Sequence, residues 1–144
     1  MSVETIVAST IMGRTGNNFF IHLEYEMRDH RKLRAFELAD HLALAVYKET
    51  KAFPRDEQFG LTSQVRRAAV SIASNIVEGC ARTSTAEYVR FLDIAFGSAR
   101  ELEYQLSLAT RLEYLSSDIG KKLADLAEET LKVLSGFIRS LRSQ

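Results

Sequence analysis

Helix breakers and cross-links are nearly absent from this sequence. Its 144 residues include one proline, Pro54, and seven glycines. These are the residues that end helices and set turns, so a chain this poor in them reads as mostly helical. There is one cysteine, Cys80, and no tryptophan. A single thiol cannot close an internal disulfide or build a cysteine-rich metal site. No apolar run of about 18 residues is free of charge, so no transmembrane helix is expected. Neither sign of charge is in excess, with 19 basic residues against 19 acidic ones. That balance lacks the strongly basic profile of many nucleic-acid binders and the acidic, apolar-poor profile of a disordered chain. What remains is a one-domain length with room for a real core, suited to a reducing cytoplasm.

The stretch from Leu61 to Arg82 is the one the chain is organised around. Leu61, Val65, Ala69, Ile72 and Ile76 recur at steps of three and four, which is one face of a helix. Val70, Ala73 and Val77 draw a second apolar line on the same helix. A helix apolar on so much of its circumference belongs inside something. Gly79 reads as its end, since glycine tolerates the left-handed backbone just past a helix.

Three more helices follow from the same periodicity. The first is predicted over about Lys32 to Ala52, with Phe36, Ala39, Ala43, Val46, Thr50 and Phe53 as its stripe and Pro54 as its stop. Leu38, Leu42 and Ala45 widen that stripe. The third begins at Ser84, where Ser84-Thr85-Ala86-Glu87 has the form of a capping box. Its seam is Tyr88, Leu92, Ala95, Ala99, Leu102, Leu106 and Ala109. The last starts near Ser117 and Asp118, with Ile119, Leu123, Leu126, Thr130, Val133, Phe137 and Leu141 inward. No segment shows the two-residue alternation of a strand. The fold class is all-α: four helices on short connections, forming an antiparallel up-down-up-down bundle over residues 28–144. Residues 1–27 have no helical period. They read either as a flexible arm or as a stretch ahead of a natural start at Met27.

Little in the sequence carries chemistry. The histidines, His22, His30 and His41, form no metal-binding spacing, and no Glu-x-x-His pair supports a di-iron site. No glycine-rich loop is available to cradle phosphate. No metal and no cofactor are therefore expected, and no catalytic residue is assigned. Ser71 and Asn75, with Ser98 and Glu101 on the third helix, read as a buried polar network that fixes helix register. Arg66, Arg67, Arg82 and Arg90 are the candidate nucleic-acid contacts, because a planar guanidinium matches phosphate. Interleaved acids such as Glu78, Glu87 and Asp93 favour ion pairing for the same arginines.

The segment QVRRAAVSIASNIVEG, Gln64 to Gly79, is similar to the signature of the small four-helix-bundle proteins called 23S ribosomal RNA intervening-sequence proteins. RDHRKLRAFELADHLALAVYKET before it and EYVRFLDIAFGSARELEYQL after it agree, so the resemblance spans about Arg28 to Leu141. It implies a four-helix bundle, and related proteins serve as accessory factors of diversity-generating retroelements. There a pentameric barrel of such bundles binds the reverse transcriptase and nucleic acid. Those factors look strongly basic, and this chain departs from them. Residues 1–26 hold one basic and three acidic residues, so 18 basic and 16 acidic residues remain from Met27 on.

The resulting expectation is a non-catalytic, cytoplasmic, oligomeric interaction protein that contacts structured RNA. The alternative is an accessory subunit of a reverse transcriptase. Leu38, Leu42, Phe91, Ile94 and Phe96 lie outside the main seams and are expected to leave apolar surface for self-association. A pentamer is what the resemblance implies.

Overall fold

The computed structural model describes residues 28–144, so the expectations for residues 1–27 lie outside the described residues. It contains four α-helices among those residues: α1 (Arg34–Thr50), α2 (Leu61–Cys80), α3 (Thr85–Arg111) and α4 (Ser117–Arg142). Short 3-10 turns at His30–Lys32 and Arg55–Glu57 precede α1 and α2.

Each boundary has a local cause. Leu33 is extended, which delays α1 to Arg34, and Pro54 disfavours helical backbone at the residue before it. Gly60 has no side chain with which to cap α2. The Glu57 carboxylate does so instead, its Oε2 accepting from the Leu61 N–H at 2.7 Å. Ser84 Oγ caps α3 by accepting from Glu87 N at 3.1 Å. Glu87 turns to Arg90 at 3.2 Å, so the box is half used. Ser116 Oγ caps α4 through Ile119 N at 3.2 Å. α3 ends in a Schellman arrangement: Glu113 N donates to Thr110 O at 3.0 Å and Tyr114 N to Ala109 O at 2.9 Å. Glu113 holds the left-handed position, φ 64°, that glycine would take without strain.

The helices form a ring, α1 on α2, α2 on α3, α3 on α4 and α4 back on α1, with the diagonals nearly apart. Neighbours run antiparallel. Ser71 meets Ser98 in the middle of the α2–α3 seam, while Gly79 meets Tyr88 and Phe91 at its end. Leu42, Val46, Val65, Ile72, Ile76, Leu92, Leu102, Leu106 and Leu134 are fully buried at the centre.

Two sequence expectations change. Gly79 does not end α2; it is a buried helical residue with negative φ. A Cβ there would sit 3.0 Å from Phe91 Cβ and 3.1 Å from Tyr88 Cδ2, so glycine serves close approach of α3, not reversal of the chain. Leu38, Leu42 and Phe91 are buried, not left outside. α1 packs between α2 and α4, which needs an apolar face wider than one seam, and Phe36 and Ala43 slide to its half-buried edge. The two ends of the second line on α2 stay outside, with Val70 41% and Val77 37% exposed, while Ala73 between them packs against the core; Ile94 is exposed on α3.

Glycine substitutions test the packing. Around Gly97 and Gly136 a Cβ would meet nothing within 4 Å, so alanine there should stabilise by about 1 kcal/mol through helix propensity. At Gly120 a Cβ would lie 2.3 Å from Thr110 Oγ1, itself held by Leu106 O at 2.8 Å. Gly120→Ala should therefore destabilise by roughly 1–3 kcal/mol. Urea denaturation of the three variants should show opposite signs; a shared sign would mean the α3–α4 approach is looser than described. Glu113→Gly should stabilise by about 1 kcal/mol in the same assay.

Candidate functional site

The four candidate arginines do not form one site. At about 1.5 Å per helical residue, Arg67 and Arg82 lie roughly 20 Å apart along the α2 axis. Arg66 is half-buried against α1: its Nε donates to Thr50 Oγ1 at 2.8 Å and its guanidinium lies 4.7 Å over the Tyr47 ring. Its Nε is thereby committed to a helix contact. Arg67 is exposed and has no ion-pair partner among the described residues.

Arg82 and Arg90 do come together, at the other end. Their guanidinium carbons sit 4.5 and 4.9 Å from the centroid of the Phe91 ring. Arg82 also reaches Glu78 at 2.8 Å, and Arg90 reaches Glu87 at 3.2 Å. Arg28 joins them, 4.8 Å over the Tyr88 ring and bonded to the Arg82 carbonyl oxygen. An aromatic ring attracts a cation through its negative face, and here three arginines are laid on two rings. Arg82 and Arg90 are candidates from the sequence, but Arg28 is not, and the ring platform has no sequence signal because Arg82 reaches Phe91 only where α2 and α3 meet at Gly79.

The polar network is smaller than expected. Asn75 Nδ2 donates to Ser71 O at 2.8 Å and to Ser71 Oγ at 3.0 Å, and the Ser71 and Ser98 hydroxyls meet at 2.9 Å. All three residues are half-buried, not buried, since they lie at the rim of the α2–α3 seam. Glu101 is exposed and separate, accepting from Gln105 Nε2 at 3.0 Å. Gln105, one helical turn on from Glu101 and on the same polar line in the sequence, is the buried member of that pair, and its Oε1 has no partner among the described residues.

Cys80 is buried, with Sγ 3.6 Å from Tyr88 Oη. Burial pushes the thiol up from its ordinary value, with the Tyr88 hydrogen bond opposing. Burial likewise raises the Tyr88 phenol. Neither group is poised for nucleophilic chemistry at neutral pH, because the thiolate is the reactive form. Among the described residues no group of three His, Cys, Asp or Glu side chains could hold a metal ion, and no helix is long and apolar enough to cross a membrane.

These observations define an all-α protein, an antiparallel four-helix bundle whose side-chain ion pairs mostly join residues three or four apart in the chain. The family described as "23S rRNA-intervening sequence protein" matches residues 31–136, and the chain belongs to it. A crystal structure of a protein of unknown function from the S23 ribosomal protein family of Bacteroides thetaiotaomicron is similar at 25% identity and a TM-score of 0.68. The match covers 73% of this chain and 95% of that one. No curated protein matches the chain.

Two outcomes follow. Cys80 should react with a thiol reagent only as the protein unfolds; because its pKa is raised, the thiol stays protonated at pH 7–8. Rapid labelling of native protein at pH 7.5 would contradict the burial. Arg66→Ala should cost about 1–2 kcal/mol in urea denaturation by removing a hydrogen bond and a cation–ring contact, and Arg67→Ala should fall within about 0.5 kcal/mol of wild type.

Proposed function

We propose that this protein is a non-catalytic cytoplasmic interaction module that works as a closed homo-oligomer. The observation that carries the reading is the pair Val70 and Val77, two turns apart and exposed on the outer side of α2, with Ala73 half-buried between them. Tyr47 on α1 and Ile94 on α3 add exposed apolar area on the neighbouring helices. Such exposed apolar surface is wasteful on a monomer and stabilising once a second surface covers it. With no excess of charge, copies are not kept apart by net repulsion. Five subunits is the number the family resemblance supports. Sedimentation equilibrium tests the assembly: the Val70→Glu/Val77→Glu variant should lose subunits while keeping its helical circular dichroism. An unchanged assembly mass would remove α2 from the interface.

Contact with structured RNA is a second reading, favoured by the Arg82–Phe91–Arg90 stack. The two side chains lie over the ring yet remain 41% and 60% exposed. A preorganised planar fork loses little freedom on meeting phosphate. Filter retention of a structured RNA should fall steeply with salt and should be weakened more by Arg82→Ala/Arg90→Ala than by Arg66→Ala/Arg67→Ala. Equal weakening would count against this end of the bundle, and no retention by wild type would leave protein interaction alone. Without a basic excess the retroelement reading gains no support from the surface charge.

A further inference from the structure

The seam between α1 and α4 opens into a groove of about 530 Å3, lined by His41, Leu44, Ala45, Lys48, Ile119 and Lys122, with Leu123 and Leu126 completing the floor and Glu49 on the wall. It is larger than the grooves beside α3, which hold about 380, 280 and 400 Å3. Leu44 at its rim is 68% exposed, the most uncovered aliphatic side chain of α1.

The charges on this groove differ from those nearby. Along α4, Lys121 is paired with Asp125 at 3.1 Å and Lys132 with Glu128 at 3.3 Å. Arg34 on α1 is bridged to Glu129 of α4 at 3.0 Å. Lys48 and Lys122, which line the groove, have no ion-pair partner among the described residues. Glu49 is the single acid lining it, so the lysines outnumber the carboxylates by one.

The geometry points to a docking site for an amphipathic helix of another protein, one with an apolar ridge flanked by carboxylates. The groove residues span about two helical turns on each wall, enough for apolar anchors at i, i+3 or i+4, and i+7. A valley between two antiparallel helices seats a third by the same ridge-and-groove packing that builds the bundle. Carboxylates beside the ridge would meet Lys48 and Lys122. A second copy of this chain fits less well, because the exposed valines of α2 begin beside Arg66 and Arg67, the same sign as the groove lysines. The occupant is thus distinct from the self-contact through α2.

The test uses the full chain and two fluorescein-labelled synthetic helices of about five turns. Both carry a leucine ridge, flanked by glutamates in one and by lysines in the other. Fluorescence anisotropy should show the glutamate-flanked probe binding wild type more tightly. Leu44→Asp should weaken that binding about tenfold. Lys48→Glu/Lys122→Glu should reverse the preference toward the lysine-flanked probe. Equal affinity for both probes, or no effect of either variant, overturns the proposal. Light scattering on Leu44→Asp separates the remaining occupant: an assembly mass equal to wild type is expected, and a fall in mass would give the groove to a second copy and overturn the assignment.

Discussion

Close approach of α2 and α3 is the constraint on which the rest of the structure depends. Gly79 lets the end of α2 lie against Tyr88 and Phe91 with no side chain between. Ala68, Ala69, Ala95 and Ala99 continue the run of buried small residues along these two helices. Small side chains bring backbones together, and the larger ones, Ile72, Ile76, Leu92 and Leu102, then fill the interior from both sides. The same approach brings Arg82, just past α2, onto the Phe91 ring, where Arg90 of α3 itself also lies. It also brings the Ser71 and Ser98 hydroxyls to 2.9 Å. Packing and the surface charge pattern thus share one cause.

Electrostatics in this bundle is local. Most ion pairs among the described residues join residues three or four apart on one helix, and both partners stand substantially in water. Such pairs contribute little to stability. The arginines that matter are those laid on rings: Arg28 on Tyr88, Arg66 on Tyr47, and Arg82 and Arg90 on Phe91. Each keeps its charge while covering aromatic surface. That arrangement leaves a neutral chain with a few fixed cationic points, which suits recognition of particular partners better than indiscriminate binding of nucleic acid.

Helix number, order and most stripes were legible in the sequence, because periodicity at three and four reports burial directly. Ile72, Ile76, Leu92, Leu102 and Leu106 are where the period puts them. What failed was single-residue meaning. Gly79 has two uses in a helix context, reversal and close approach, and only the position of α3 chooses between them. Leu38 and Leu42 were misplaced because a helix held between two neighbours buries two adjacent stripes, and sequence does not say how many neighbours there are. Among the candidate site residues, Ser71, Asn75 and Ser98 meet because they share one seam, whereas Glu101 is exposed and bonds only Gln105 of its own helix. Arg66 and Arg82 lie at opposite ends of one helix, and their partners, Tyr47 and Phe91, come from different helices. The groove between α1 and α4 had no sequence signal, since it arises from two helices separated by most of the chain.

If α2 organises the bundle, native-state hydrogen exchange should report it. The amides of Ile72 and Ile76, in the fully buried middle of α2, should exchange only through global unfolding and be the slowest in the protein. Exchange of these amides by local opening, at rates like those of the exposed first turn of α4, would mean that α2 is not the element that holds the bundle together.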